Sequence, residues 1–376
     1  MRELMIRVYP TRNIEACPIT ATLPGTLKIG GRAYLEREDG EEVPCQLSIL
    51  NGKITASWID EDLKAEVPRE YKLRIAEARR EKPHMSITKV KGDILEIHEG
   101  EELVTRYLYG YDRVRPYMYP LNAPGGVCLT EDGPKDHVHH RSFWVAHGDV
   151  NGVDCWTESR NHGYIRHKNF ERLESGDVYA RVVALNVWTD HGGNPLMDEL
   201  RDIRIWRTIR GDRIIDFNVS FRASYGDVTL GDTKEGGLIS LRVTPSMRGL
   251  SGGRIENSEG GVGEEECWGR RARWCDYSGV ADSRWLGITI MDHPQNPRHP
   301  TYWHVRAYGL FAANCLGVSI FERNPRLRGD MEIKHGEAVG FMYRVLIHEG
   351  DAARAEIEKK YQCYIEPPRV EVVCQV

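Results

Sequence analysis

Short runs of alternating apolar and polar residues, broken by glycine, proline and asparagine, fill most of the chain. Alternation with period two sends successive side chains to opposite faces of a strand, so these runs predict half-buried β-structure. Before residue 77 they cover 21–23, 27–29, 43–47, 53–56 and 71–75, separated by Pro24-Gly25, Gly30-Gly31, Glu38-Asp39-Gly40 and Asn51-Gly52. Asn-Gly between two such runs signals a hairpin, because both residues tolerate the positive φ that a tight turn needs. Strands at this spacing predict a small β-sandwich over residues 1–80.

A charged stretch at 77–84 reads as a linker, and the β pattern resumes at residue 85. A hairpin is expected at 85–97 around Lys91-Gly92-Asp93, followed by strands at 103–108 and 178–188. Residues 201–210 and 213–222 read as an antiparallel pair across Gly211-Asp212, and 285–291, 316–321 and 338–346 as further strands. Helical spacing occurs only at 351–366, where Ala352, Ala353, Ile357 and Tyr361 recur, Asp351 can cap the start and Pro367-Pro368 ends it. No blade-length repeat argues for a propeller. The expected fold is all-β: a small N-terminal β-sandwich, then a large antiparallel β-supersandwich over 85–376 with a short C-terminal helix.

Bulk composition narrows the partners. The net charge of −5 leaves no basic footprint for nucleic acid. No run approaches the roughly 20 apolar residues of a membrane span, and the first residues lack an apolar leader, so a cytoplasmic protein with no membrane partner is expected. Nine cysteines without CxxC spacing predict reduced thiols, mostly in the core. Nine tryptophans and seventeen tyrosines against seven phenylalanines favour flat faces with polar handles, suited to sheet cores and to sugar-binding clefts.

Candidate chemistry concentrates in four segments. Asp136-His137-Val138-His139-His140-Arg141 is the densest. If extended, it places His137 and His139 on one face and His140 on the other. His139 or His140 is then a candidate proton donor, and Arg141 a candidate ligand for hydroxyls or a carboxylate. A metal reading adds a divalent ion held by His137 and His139 with His293 or His304, supported by Asp136, Asp149 or Asp154. Gly148-Asp149-Val150-Asn151-Gly152 presents Asn151 on a loop, although these residues also simply favour turns. In Asp232-Thr233-Lys234-Glu235-Gly236-Gly237, Glu235 beside apolar Leu238 and Ile239 is a candidate base, and Lys234 a candidate substrate contact. The proline-rich segment 292–306 offers Trp303 as a stacking face and Arg306 as a bidentate donor.

Residues 120–126, the 136–141 motif, 149–156, Lys234-Glu235-Gly236-Gly237 and the run from Asp292-His293-Pro294 to Tyr308-Gly309 together resemble the bacterial family labelled methane oxygenase PmoA-like, over roughly 85–365. With no membrane span, this chain is no subunit of a membrane monooxygenase. The resemblance implies a galactose-mutarotase-like supersandwich, in which a histidine acid and a glutamate base act on a sugar ring; these roles would fall to His139 or His140 and to Glu235. The expected activity is that of a carbohydrate-active enzyme of epimerase, lyase or hydrolase type acting on a sugar or oxidised glycoside. A non-catalytic carbohydrate-binding protein is the alternative.

Overall fold

The computed structural model describes residues 4–25, 31–50, 52–76 and 82–374. The run expected at 27–29, Asn51 and most of the charged linker lie outside them. The chain divides into two compact units, one of residues 1–86, 175–180 and 358–376, the other of 87–174 and 181–357.

The first unit is a single seven-stranded sheet in the order Ile14–Thr22, Lys53–Leu63, Glu42–Leu50, Arg32–Glu36, Arg69–Ala76, Leu4–Tyr9 and Arg369–Cys374. Residues from both ends of this order, Cys17 and Ile19 with Val370 and Val372, pack in one core with Trp58 and Tyr71, so the sheet curls over on itself. Leu50 pairs with Lys53, as the Asn51-Gly52 signal requires. The C-terminal strand returns to pair with Leu4–Tyr9, so the end of the chain completes the N-terminal sheet. Cys17 and Cys363, 346 residues apart, form a disulfide here. This corrects the expectation of reduced thiols throughout: sequence spacing carries no trace of a pair that only the return of the chain brings together.

Two eight-stranded antiparallel sheets lie mainly in the second unit. The first runs Trp303–Val305, Leu310–Ala313, Gly236–Arg242, Phe143–His147, Tyr117–Leu121, Glu102–Leu108, Ile94–Glu99 and Met85–Val90. The second runs Tyr164–Glu174, Tyr179–Thr189, Pro195–Trp206, Arg213–Arg222, Ala338–Glu349, Arg284–Asp292, Trp274–Ala281 and Arg254–Asn257. Phe143 of the first meets Phe217 of the second at 5.0 Å between ring centroids, and Phe311 meets Tyr277 at 6.1 Å, so the sheets pack face to face around an aromatic core. The expected all-β architecture is present.

Two local expectations change. Residues 316–321 are not a strand, since Val318–Phe321 forms one helical turn. The C-terminal helix spans only Ile357–Ile365. Asp351 Oδ1 does accept the Arg354 amide at 2.9 Å, but Glu356 sits at φ +50°, which interrupts the helical path before Ile357.

Cys17 and Cys363 are paired, and six other described cysteines are free for alkylation after denaturation without reductant. Adding reductant should raise the adduct count in the intact mass by two. Cys363→Ala should weaken the first unit by about 2–4 kcal/mol, read by denaturant titration. Nine adducts without reductant would show that the bond does not form.

Candidate active site

Adjacent residues on the strand Phe143–His147 face opposite ways. Phe143 enters the core between the sheets, so Trp144 turns to the outer face, where it joins Ala146, Trp156, Tyr117, Leu310 and Ala312 in a second apolar cluster. This cluster is the floor of the site.

The histidine segment stands on that floor, but it is turned rather than extended. The His137 amide donates to Pro134 O (3.1 Å), the His140 amide to His137 O (2.9 Å) and the Gly133 amide to His140 O (2.9 Å). A turn repeats every third residue, so His137 stacks on His140, with ring centroids 4.5 Å apart and planes 9° apart. The expected pairing of His137 with His139 on one strand face gives way to a row: Tyr308 on His137 (4.7 Å), His137 on His140, and His140 over Trp144 (5.5 Å). His139 meets His140 edge-on at 4.7 Å. His140 is buried and His139 half-buried, which decides which of the two meets solvent.

Two buried arginines hold this arrangement. Arg242, at the end of the strand Gly236–Arg242, donates from one nitrogen to both Asp136 oxygens (2.9 and 2.7 Å) and from the other to His140 Nδ1 (3.2 Å). Accepting at Nδ1 leaves the His140 proton on Nε2. The same guanidinium lies 4.9 Å from the Tyr308 ring centre. Arg115 donates to the carbonyls of His139 (3.0 Å), Trp156 (2.9 Å) and Cys155 (3.3 Å), fixing the histidine loop to the floor.

These contacts set protonation. Burial, then the neighbouring His139, His137 and Arg242, push the His140 imidazolium far below its usual range. Burial also lowers His139, aided by Arg115 and His137 and opposed by Glu235 and Glu158, so its free base dominates at neutral pH. Partial burial opposes ionisation of Asp136, yet the hydrogen bonds from Arg242 and His137 hold its carboxyl well below the usual range.

Glu235 lies near enough to act electrostatically on His139 and on His304. It is ion-paired with Lys234 and 39% exposed, so it is not the apolar-pocket carboxylate suggested by Leu238 and Ile239. Gly236 and Gly237 serve packing: a Cβ at Gly236 would sit 2.5 Å from His147 Nδ1. His147 itself is buried, with Nε2 2.9 Å from Gly231 O.

The strand Trp303–Val305 splits the second histidine group. Trp303 is fully buried, packs on Phe311 and donates its Nε1–H to Ala272 O (2.9 Å), so it presents no stacking face. His304 consequently points the other way, buried against Lys234 and 6.5 Å from Trp268. Arg306 pairs with Glu264 (2.8 Å) and lies over both Tyr308 (5.6 Å) and Trp268 (6.0 Å). Trp268 and Arg306 line a cavity of about 490 Å³. Trp268, which sequence reasoning did not single out, is the flat face that was sought in Trp303.

Several other expected roles change. Arg141 is held by Glu158 in a bidentate pair (2.8 and 2.7 Å) and reaches Asp132 at 3.4 Å. Asn151 spends both ends of its amide on the backbone, accepting from Thr229 N (2.7 Å) and donating to Asp227 O (3.0 Å), and so closes a turn. Asp149 and Asp154 likewise accept backbone amides in their own turns. His293 lies with Asp292, His299 and the Asp216–Arg344 pair, apart from the His137 row. His299 and Asn296 meet Asp292 at 2.7 Å, which stiffens that loop internally. Among the described residues no three His, Cys, Asp or Glu side chains gather as a metal site, so the set of His137, His139, His293 and His304 does not assemble. The sequence signal for Arg242 was there: one arginine closing the strand Gly236–Arg242, which is otherwise small and apolar.

A family model matches residues 95–362, a span that contains every residue of this site. The chain belongs to DUF6807, a family of unknown function. The likeness to the PmoA-like family does not hold, because the matching model is that of DUF6807. No curated protein matches. The whole chain is similar to part of two solved structures from Enterococcus faecalis. One is a protein in glycosyl hydrolase family 38, at 11% identity and a TM-score of 0.42 over 47% of that chain. The other is an alpha-mannosidase from Enterococcus faecalis V583, at 9% identity and a TM-score of 0.43 over 46% of that chain. This chain thus spans about half the length of either. No helix among the described residues is long and apolar enough to cross a membrane.

His147 and His304 have folded-state pKa values pushed down by burial to about 4, from 6.5. Between those values the unfolded chain binds more protons, so the contribution of these two histidines to stability is complete above pH 6.5, falls as pH drops, and is lost below about 4. Urea titrations across this window should show that fall, and His304→Gln should make it shallower. An unchanged slope in His304→Gln would show that His304 does not contribute.

Proposed function

We propose that the protein is a carbohydrate-active enzyme that moves a proton on a saccharide bound against this outer face. One observation carries the reading: His139 is half-buried, its proton affinity is lowered by burial and by Arg115 and His137, and its main chain is tied down by Arg115. A positioned imidazole that is unprotonated at neutral pH serves as a general base. Glu235, paired with Lys234, is the nearby carboxylate that stabilises the imidazolium formed when His139 takes a proton. His140 and Arg242 act as positioning residues, through the stacked row and the carboxylate of Asp136.

The saccharide class is supported by the flat indole of Trp268 beside the Arg306–Glu264 pair, which offers an apolar ring face next to donors and acceptors. Epimerase or lyase chemistry fits better than hydrolysis. Hydrolysis of a glycoside generally uses two free carboxylates, whereas Asp136 and Glu158 here are engaged by Arg242 and Arg141.

The test is exchange of sugar C–H for deuterium, followed by NMR in heavy water over a panel of sugars and glycosides. His139→Asn should slow exchange by about 10²–10⁴-fold with affinity kept within a few fold, and Glu235→Gln should slow it less. The wild-type rate should hold at neutral pH and fall in acid, below the ordinary imidazole range, because protonation removes the base. Wild-type exchange in His139→Asn would remove this histidine from the chemistry, and binding without exchange on any substrate would leave a carbohydrate-binding protein.

A further inference from the structure

The cavity of about 490 Å³ beside the histidine row falls in the size range that encloses a small ligand. Its charged walls are unevenly satisfied. Glu264 takes Arg306 (2.8 Å) and the Ala307 amide (2.6 Å), and Glu322 takes the Tyr302 hydroxyl (2.5 Å). Arg270 and Arg323 also line the cavity, and neither guanidinium has a hydrogen-bond or ion-pair partner among the described residues. Only Glu265 stands on the opposite side of this balance, one unengaged carboxylate against two unengaged guanidiniums.

The backbone brings those two arginines together. Gly269, at φ +66°, seats against Phe321, where a Cβ would come within 3.2 Å of the ring. Arg270 follows Gly269 directly, and Arg323 follows Phe321 by two residues. Arg323 itself has φ +50°, the left-handed region that a bulky side chain rarely adopts. Left-handed backbone at a non-glycine residue is strained and gathers at ligand clamps and active sites. The indole of Trp268 lines the same cavity and supplies an apolar plate.

We infer that this cavity receives a carboxylated sugar unit, a uronate, with its ring on Trp268 and its carboxylate between Arg270 and Arg323. The inference rests on the carbohydrate reading and names its substrate class. A guanidinium fork matches the planar carboxylate in two hydrogen bonds, while a neutral sugar leaves both forks to water. Glu265 remains to accept ring hydroxyls.

The test is isothermal titration of the full chain with D-glucuronate and D-galacturonate against D-glucose and D-galactose. The uronates should bind at least 10-fold tighter than their parents, and that preference should weaken as salt is raised. Arg270→Gln combined with Arg323→Gln should abolish the preference, and Trp268→Ala should weaken uronate and parent sugar together. Both arginines are exposed, so the double variant should keep the wild-type melting temperature. Equal binding of uronate and parent, retention of the preference in the double variant, or tighter binding of D-glucose 6-phosphate than of either uronate would each overturn the assignment. His139→Asn separates this assignment from the catalytic reading, since it should bind uronate like the wild type. Uronate preference without deuterium exchange upholds the cavity and sinks the proton transfer; exchange on a neutral sugar without that preference does the reverse.

Discussion

A guanidinium with no exposed surface must find its counter-charges inside the protein, and that of Arg242 organises the outer face of the first sheet. Leaving such a group unpaired costs several kcal/mol. Its surroundings are arranged accordingly: Asp136 at 2.7 Å, His140 Nδ1 at 3.2 Å, Tyr308 at 4.9 Å and Glu131 Oε2 at 3.8 Å. To reach Arg242, the segment carrying Asp136 and His140 has to fold over the sheet, and that bend stacks the histidines. Arg115 does the same for the other side of the loop, taking the carbonyls of His139 and Trp156.

The charge balance divides the face into a closed part and an open part. In the closed part arginines and carboxylates satisfy one another, Arg242 with Asp136 and Arg141 with Glu158, which leaves His139 as the half-exposed neutral base among them. In the open part, around Trp268, Arg306 is ion-paired with Glu264, whereas the guanidiniums of Arg270 and Arg323 have no partner among the described residues. Tyr308 stacks on His137, and Arg306 lies over both Tyr308 and Trp268, so together the two residues join the parts.

The β architecture was readable because its cause is local. Alternation over 213–222 and 285–291 produces the strands Arg213–Arg222 and Arg284–Asp292, and turn residues mark their ends. The expected partner of 213–222 is also its neighbour, pairing Ile205 with Ile215 and Asp198 with Arg222. Local cues failed where distant groups decide. The run 316–321 reads as a strand by alternation, yet Val318–Phe321 is helical, with Asp232, far away in sequence, accepting the Ser319 amide. Asn151 looked like a ligand-binding side chain and instead closes a turn onto Thr229.

By itself, the sequence determined most of the segments that become strands and the four segments that hold the ionisable groups, because hydrophobic period and residue type are properties of neighbouring positions. Only the tertiary structure decided which of those groups meet. Whether Trp303 or His304 faces outward depends on which face of its strand the second sheet covers. Whether His137 joins His139 or His140 depends on a turn anchored by Arg242, about a hundred residues downstream. The bond between Cys17 and Cys363 depends on the chain's last segment returning to its first sheet. Each is a long-range contact, and none leaves a mark on the local pattern of the chain.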